Sequence, residues 1–428
     1  MKIFFLPMDA HGHVNSCIGL ARMLQDFGHQ IVFGVPKRWS PSIEKYKFDI
    51  EILDDPSVPE DQDLQEKWGS FMGQHADAFG KEPKDQLKAL IEPATRAFIE
   101  YVKIIDDQLA SVFEKSNPDL IILDFYVTVP AVVKSGRPWM LLFSCNPLRL
   151  YEGPKTPMAG LGLSVDTDPS VTMQMQMLMM DVMKEVKSDF DKWLISKEVE
   201  PDLFTIMRLS PFLNLYSFPS DLDYFEFGSV PDKCFRLDHM VRKVEEGPLG
   251  FDESFFDRPG KKVFLSLGSM GSVDVQLMKR LVSICSKSKH QFIISKGLYH
   301  DKYELAENMV GGKYVNQMAI LPKVDLVIHH GGNNSFVETI YFGKPCIVLP
   351  LFGDQHDNGR RVEDLKIGRS FRPHWVTEEE LLTAIDELIE DKQLAEKLSK
   401  IGEKVRNSKS INDLNKKIEE IVSSNDQQ

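Results

Sequence analysis

The run His330-Gly331-Gly332-Asn333-Asn334-Ser335 follows an apolar segment and precedes an amphipathic one that closes at Gly343. Paired glycines let a ligand come close to the backbone. Free N–H groups at a helix start, with the positive end of its dipole, suit a phosphate; His330, Asn334 and Ser335 add side-chain donors there. Ser335 and Glu338 also have the S-x-x-E spacing of a capping box, which starts a helix with no ligand. The alternative for Glu338 is a carboxylate that accepts hydrogen bonds from ribose hydroxyls. The next apolar run ends in Gly353-Asp354-Gln355. An acid beside an amide suits sugar hydroxyls, although the same residues also make a plain turn.

A second constellation lies in the first half. His13 follows the apolar run Lys2 to Pro7, and Asp124 ends the apolar run Pro118 to Leu123. Singly, the first reads as a solvated loop histidine and the second as a helix cap. As neighbouring parallel strands, the two runs would set both side chains on one sheet edge. An imidazole with one nitrogen on a buried carboxylate and the other free is poised as a general base. His11 competes with His13 for that role.

The elements that must position these residues alternate between strand and helix. After Pro7, Cys17, Leu20, Ala21 and Leu24 recur at helical spacing, so a helix is expected from near Val14 to Gly28, then a strand over Ile31 to Val35. This β-α-β unit implies a parallel sheet. Residues 60–116 read mostly as helices broken at Pro83 and Pro93, and Trp139 to Phe143 as a strand. A helix over 171–196 holds Met173, Met175, Met177, Met179, Met180 and Met183, which fit either a core helix or a deformable apolar wall for a varied ligand. The pattern restarts with a strand at Lys262 to Leu267, a loop at Gly268 to Ser272, and a helix carrying Leu277, Met278, Leu281 and Ile284. Further strands are expected at Phe292–Ser295, Val324–His329 and Pro345–Leu351, and charged helices over 378–422.

At 428 residues the chain has room for two or three domains of about 100–200 residues each. The expected division is 1–240, a linker over 241–260 that is rich in charge, Gly and Pro, a second domain over 261–405, and a terminal helix over 406–428 that packs back on the first domain. The fold class is α/β: two Rossmann-like parallel-sheet domains facing across a cleft, with ligands at the carboxyl ends of the strands.

Composition narrows the partners. The 51 basic and 64 acidic residues give a net charge of −13, which disfavours nucleic acid and anionic membrane. Any phosphate must then be held by local geometry against the global field. The five cysteines are scattered, with no C-x-x-C pair, and read as reduced thiols in a cytoplasmic protein. The first apolar run is too short for a signal sequence, and no stretch approaches the roughly 18 apolar residues of a membrane span.

Residues 314–358 (YVNQMAILPKVDLVIHHGGNNSFVETIYFGKPCIVLPLFGDQHDN) resemble the donor-binding signature of the UDP-glycosyltransferases, the family 1 inverting glycosyltransferases. That signature runs W-x-P-Q, H-x-G-x-N-S-x-x-E and P-x-x-x-D-Q, and its parts match here in order and spacing. A weaker similarity, including the N-terminal G-H-x-N, covers nearly the whole chain and is closer to soluble bacterial and arthropod members than to membrane-anchored vertebrate ones. The resemblance implies the GT-B fold. It implies that His330, Gly332, Asn334 and Ser335 contact a diphosphate, with Ser269 reaching the β-phosphate. Glu338 and Gln317 would hold the ribose, Tyr314 and Val315 would face the base, and Asp354 and Gln355 would hold the transferred sugar. Two positions depart from the pattern: Tyr314 replaces the stacking Trp and Asn316 the following Pro. A tyrosine keeps a π-face, and base stacking is worth roughly 1–3 kcal/mol in nucleic-acid contexts. Asn333 stands where plant members often have Trp.

The family pattern selects His13 as base, with Asp124 orienting it. The implied reaction moves a hexose, glucose by preference, from a UDP-sugar to a hydroxyl of a small lipophilic acceptor of flavonoid or phenol type, with inversion. No arginine adjoins Asp354-Gln355 for a uronate carboxylate, although Arg360 and Arg361 follow shortly. No cofactor and no metal are expected: the D-x-D pairs Asp166/Asp168, Asp189/Asp191 and Asp221/Asp223 follow no clear strand. A non-catalytic sugar-nucleotide binder and a sugar-nucleotide epimerase are the competing readings. A nicotinamide dehydrogenase needs a G-x-G-x-x-G that Met8–His13 lacks.

Overall fold

Lys2–Pro7 (β1) is apolar on both faces and almost wholly buried, as a central strand of a parallel sheet covered on both sides must be. In the computed structural model, which describes residues 1–56, 58, 66–151, 153, 155–230, 232–243 and 247–425, it is an interior strand, the third of a seven-stranded sheet. The other strands are Gln30–Val35 (β2), Asp49–Ile52 (β3), Leu120–Asp124 (β4), Trp139–Phe143 (β5), Leu213–Ser217 (β6) and Cys234–Leu237 (β7). Their order is β3-β2-β1-β4-β5-β6-β7, all parallel.

A second, six-stranded sheet follows. It comprises Lys262–Ser266 (β8), Gln291–Ser295 (β9), Met309–Gly312 (β10), Leu326–His329 (β11), Cys346–Val348 (β12) and Gly368–Ser370 (β13). Its order is β10-β9-β8-β11-β12-β13, again all parallel. Each sheet reverses direction once, between β1 and β4 and between β8 and β11. At such a switch point the connections leave to opposite sides and open a crevice at the strands' carboxyl ends. The two-sheet α/β class expected from the sequence is therefore the class observed.

One apolar core lies between the first sheet, the helix His11–Gln25 and the helix Ser410–Asn425. The terminal helix crosses back from the second domain and buries Leu414, Ile418 and Val422 there, and its Asn415 Oδ1 lies 2.7 Å from His29 Nε2. The other core is continuous from the opposite face of the first sheet into the second domain. The two halves thus share apolar packing as well as polar contacts.

Several local expectations need correction. The first helix starts at His11, not near Val14, so His13 lies in its first turn rather than in a loop. Pro93 does not break its helix. A π-turn over Leu87–Ile91 precedes it, and the helix Glu92–Ser116 continues with Pro93 in its first turn, where a missing N–H costs little. The methionine-rich helix, Pro169–Ser196, is not a core helix: Met173, Met177 and Met180 are exposed, and only Thr172, Val186, Phe190 and Leu194 are buried. Part of the expected linker, residues 244–246, lies outside the described residues.

Leu414 is fully buried in the shared core. Leu414→Ala should remove about 2–5 kcal/mol of stability, the usual cost of truncating a buried leucine. Urea unfolding followed by far-UV circular dichroism would show it as a lower midpoint.

Candidate active site

β1 and β4 are neighbours, and Pro7 pairs with Asp124 in register. The chain leaves β1 and turns directly into the helix His11–Gln25, so His13 stands over the end of β4. Its Nδ1 is 2.9 Å from Asp124 Oδ2, and Asp124 is completely buried. Ser144, the residue after β5, completes the group: its hydroxyl donates to Asp124 Oδ1 at 3.1 Å and lies 3.0 Å from His13 Nδ1. With the serine proton directed to the carboxylate, Nδ1 faces two acceptors and must carry the imidazole proton. Nε2 is then the unprotonated nitrogen, free to accept a proton from a ligand. Tyr126 packs edge-on against the ring, with centroids 5.1 Å apart. His11 instead packs edge-on against Trp39, at 4.9 Å.

The second switch point holds the other constellation. Ser269 follows β8 and His330 follows β11, and these strands are adjacent. The His330 ring is wedged between the two loops. A Cβ at Gly268 would fall 2.6 Å from His330 Cε1, and one at Gly332 would fall 2.5 Å from Nε2. Glycine at both positions is what lets the ring sit there. Burial pulls the His330 pKa down to about 4, against a weaker upward pull from the Ser266 carbonyl. At neutral pH the side chain is therefore an uncharged donor, not a cation.

The helix Asn333–Tyr341 begins at Gly332 with no side-chain cap. The capping-box reading of Ser335 and Glu338 is thus not realised. The Glu338 carboxylate is buried and accepts from Gln317 Nε2 at 2.5 Å and Asn334 Nδ2 at 3.2 Å. Burial raises its pKa, and Arg242, whose Nη2 is 4.0 Å away, pulls the other way. Gln317, Asn334 and Glu338, distant in sequence, form one polar group. Tyr314 is exposed, with Lys313 Nζ 5.3 Å from its ring centroid, and Val315 is half-buried beside it. Asn316 caps the short helix Gln317–Ile320, accepting from Ala319 N at 3.2 Å, so the departure from the proline pattern has a local purpose.

Asp354 opens the helix Asp354–Asp364 and faces the first domain. Its Oδ2 accepts from Asn146 N at 3.0 Å; burial raises its pKa, and the hydrogen bonds from Asn146 N and the Cys145 thiol pull the other way. Gln355 is buried, and its Oε1 accepts from Leu351 N at 2.9 Å and Phe352 N at 3.3 Å. Its carbonyl end is occupied by backbone, which leaves the amide N–H groups for a ligand.

Further contacts cross the cleft. Asn333 Nδ2 donates to the Ser144 and Ser217 carbonyls, each at 3.1 Å. Asn146 Nδ2 donates to Asn358 Oδ1 at 2.8 Å. Asp357 Oδ2 and Oδ1 accept from Gly160 N at 2.6 Å and Gly162 N at 3.0 Å. Arg361 donates to the carbonyls of Leu222 and Asp223 and pairs with Glu226. Ser144, Tyr126, Asn146 and the bridging role of Asn333 were not anticipated. For Ser144 a signal existed: it follows a strand in the same parallel run as Asp124.

Five of the six D-x-D acids are engaged elsewhere. Asp168 caps the helix Pro169–Ser196, and Asp189 and Asp191 pair with Lys192 and Lys187 on it. Asp221 pairs with Lys404, and Asp223 accepts from Tyr151 and Tyr216. Among the described residues no group of three or more His, Cys, Asp or Glu side chains is arranged to hold a metal ion, and no helix is long and apolar enough to cross a membrane.

Asp357 yields a pH prediction. Burial raises its pKa to about 7, so the folded protein holds this proton more tightly than the unfolded chain does. The resulting stabilisation is present at low pH and is lost as pH rises toward and through 7. Asp357→Asn cannot ionise. The melting temperature of the variant relative to wild type should therefore rise between pH 5 and pH 8 in differential scanning fluorimetry; a constant or falling difference would contradict the shift.

Comparison with known proteins agrees with this geometry. Residues 247–416 match the family described as UDP-glucoronosyl and UDP-glucosyl transferase. From Bacillus subtilis (strain 168), the protein named uncharacterized UDP-glucosyltransferase YojK is 22% identical over 413 residues, covering 95% of this chain and 93% of its own length. The NDP-glycosyltransferase YjiC of the same organism is 23% identical over 410 residues, covering 94% and 93%. Among solved structures, the glycotransferase of kitacinnamycin superimposes with a TM-score of 0.70 at 18% identity, over 97% of this chain and 99% of its own. The glycosyltransferase VinC, solved in complex with dTDP, gives a TM-score of 0.66 at 14% identity, over 99% and 100%.

Proposed function

Because the chain belongs to the family 1 UDP-glycosyltransferases, which move sugars from nucleotide sugars on a GT-B fold, we propose that it transfers a hexose from a UDP-sugar to a hydroxyl of a small lipophilic acceptor, with inversion and with His13 as base. The observation that carries this reading is the His13–Asp124–Ser144 group at one switch point, with Asp354 of the second domain bonded to Asn146 two residues beyond Ser144.

In this reading the acceptor hydroxyl donates its proton to His13 Nε2 as its oxygen attacks the anomeric carbon. The bond from that carbon to the β-phosphate oxygen breaks, UDP departs from the opposite face, and the configuration inverts. Asp124 stabilises the imidazolium that forms, and Ser144 holds the ring's tautomer. A positioned base contributes about 10²–10⁴-fold. The departing diphosphate rests on the N-terminus of Asn333–Tyr341, the Ser335 and Ser269 hydroxyls and the His330 N–H. These donors are neutral, and five of the six D-x-D acids already hold partners within the protein, which supports transfer without a metal. Glu338 and Gln317 hold the ribose, and Tyr314 with Val315 the uracil. Asp354 and the Gln355 amide hold the sugar.

Glucose is the proposed sugar, since Arg360 pairs with Asp364 and Arg361 is saturated by Glu226 and two carbonyls. Five unpaired cysteines support a cytoplasmic setting.

His13→Ala should lower kcat for transfer from UDP-glucose at least 10²-fold while leaving the calorimetric Kd for UDP within about twofold. Turnover that persists would remove the base assignment, and UDP binding without turnover in the wild type would favour a binding protein. His330→Ala should weaken UDP itself, by roughly tenfold for one lost hydrogen bond to a charged group. An unchanged Kd would remove His330 from the diphosphate site.

A further inference from the structure

Tyr126 follows β4 and Cys145 follows β5, next to Ser144, so both stand at the switch point that holds His13. Both are half-buried. Two rings hold the tyrosine: it packs edge-on against His13, with centroids 5.1 Å apart, and edge-on against Phe143, at 5.9 Å. Its hydroxyl reaches the cysteine, with Oη 2.5 Å from Sγ.

The other partner of Cys145 comes from the second domain. Asn146 N, one residue on, donates to Asp354 Oδ2 at 3.0 Å, so the carboxylate lies against this stretch of chain. The Cys145 thiol donates to the same carboxylate. Proton accounting gives the chain its direction. A thiol carries one proton, and burial keeps it on the sulfur. A carboxylate is the stronger acceptor, so the S–H points to Asp354 and the sulfur accepts from the Tyr126 O–H. Hydrogen bonds thus run from a ring packed on His13 to the first residue of the helix Asp354–Asp364.

A carboxylate offers about four acceptor sites. Two donors from the first domain fix its plane and leave the remaining sites for ligand hydroxyls. Transfer requires the attacking oxygen and the anomeric carbon to stand about 3–3.5 Å apart. The base belongs to one domain and the sugar ligand to the other, so their alignment depends on contacts of this kind.

We infer that Tyr126 and Cys145 are a positioning pair, whose hydrogen bonds orient the Asp354 carboxylate for the transferred sugar. The inference rests on the transfer reading above and on the role of Asp354 in it. Neither residue is assigned a part in the chemistry itself.

Calorimetry without acceptor would compare UDP-glucose with UDP on the wild type, Asp354→Asn, Cys145→Ala, Cys145→Ser and Tyr126→Phe. The quantity read is the ratio of the two Kd values, UDP-glucose over UDP. UDP lacks the sugar, so damage to the fold weakens both ligands and leaves the ratio alone. Asp354→Asn should raise the ratio about tenfold, and Cys145→Ala about threefold to tenfold. Tyr126→Phe should raise it less, about twofold to threefold, because the ring stays against His13 and only the O–H is lost. Cys145→Ser keeps a donor and an acceptor in place and should stay within about twofold of the wild type. A ratio that moves in Asp354→Asn but in neither Cys145→Ala nor Tyr126→Phe would overturn the inference alone, as would a serine variant no better than alanine. An unchanged ratio in Asp354→Asn would overturn the sugar-holding role of Asp354, and the inference with it.

Discussion

A carboxylate wholly removed from water sets the terms for the first domain. Asp124 ends the strand beside β1, where side chains from both crossovers close over it, and its exposure is 0%. An isolated buried charge of this kind costs several kcal/mol, and it persists only if its oxygens find partners of the right sign. His13 and Ser144 are those partners. Meeting that need fixes where the first helix begins, which imidazole nitrogen carries the proton, and why a hydroxyl must follow β5. Basicity at Nε2 then follows from charge satisfaction at Nδ1.

The same group ties the two domains together. Ser144 offers its hydroxyl to Asp124 and its carbonyl to Asn333, the first residue of the helix on which the diphosphate is proposed to rest. Two residues on, Asn146 binds Asp354 and Asn358. One stretch of chain therefore touches the proposed base, the helix proposed to face the phosphate and the helix proposed to face the sugar. Side-chain amides and backbone carry most of these contacts, and they have the modest net strength of neutral hydrogen bonds, about 0.5–1.5 kcal/mol each. A cleft held this way closes with defined geometry yet at a free energy that ligand binding and release can overcome.

The strands flanking both switch points were legible in the sequence because they are continuous apolar runs, and Trp139–Phe143 has the same limits in sequence and structure, but the interior strand Leu213–Ser217 was not anticipated. Nor were the edge strands. Met309–Gly312 and Gly368–Ser370 are short, contain glycine and lack an apolar pattern, and they exist because a neighbouring strand offers hydrogen bonds. Topology set a histidine after β1 beside Asp124, and the family pattern chose His13 over His11. Ser144 and Asn146 could not be read, since their meaning depends on how a loop folds after its strand and on what the other domain brings opposite. The methionine-rich helix misled for a related reason: composition suggested burial, but three of its methionines have nothing packed over them.

Local charge, finally, must work against the global balance. A chain of −13 that binds a nucleotide diphosphate has to create attraction within a few ångströms. The proposed diphosphate site has little formal charge: His330 is held neutral by burial, and the helix start contributes partial charges from N–H groups. Neutral donors can bind the diphosphate without gripping the more highly charged product as strongly as an arginine cluster would, which favours release of UDP.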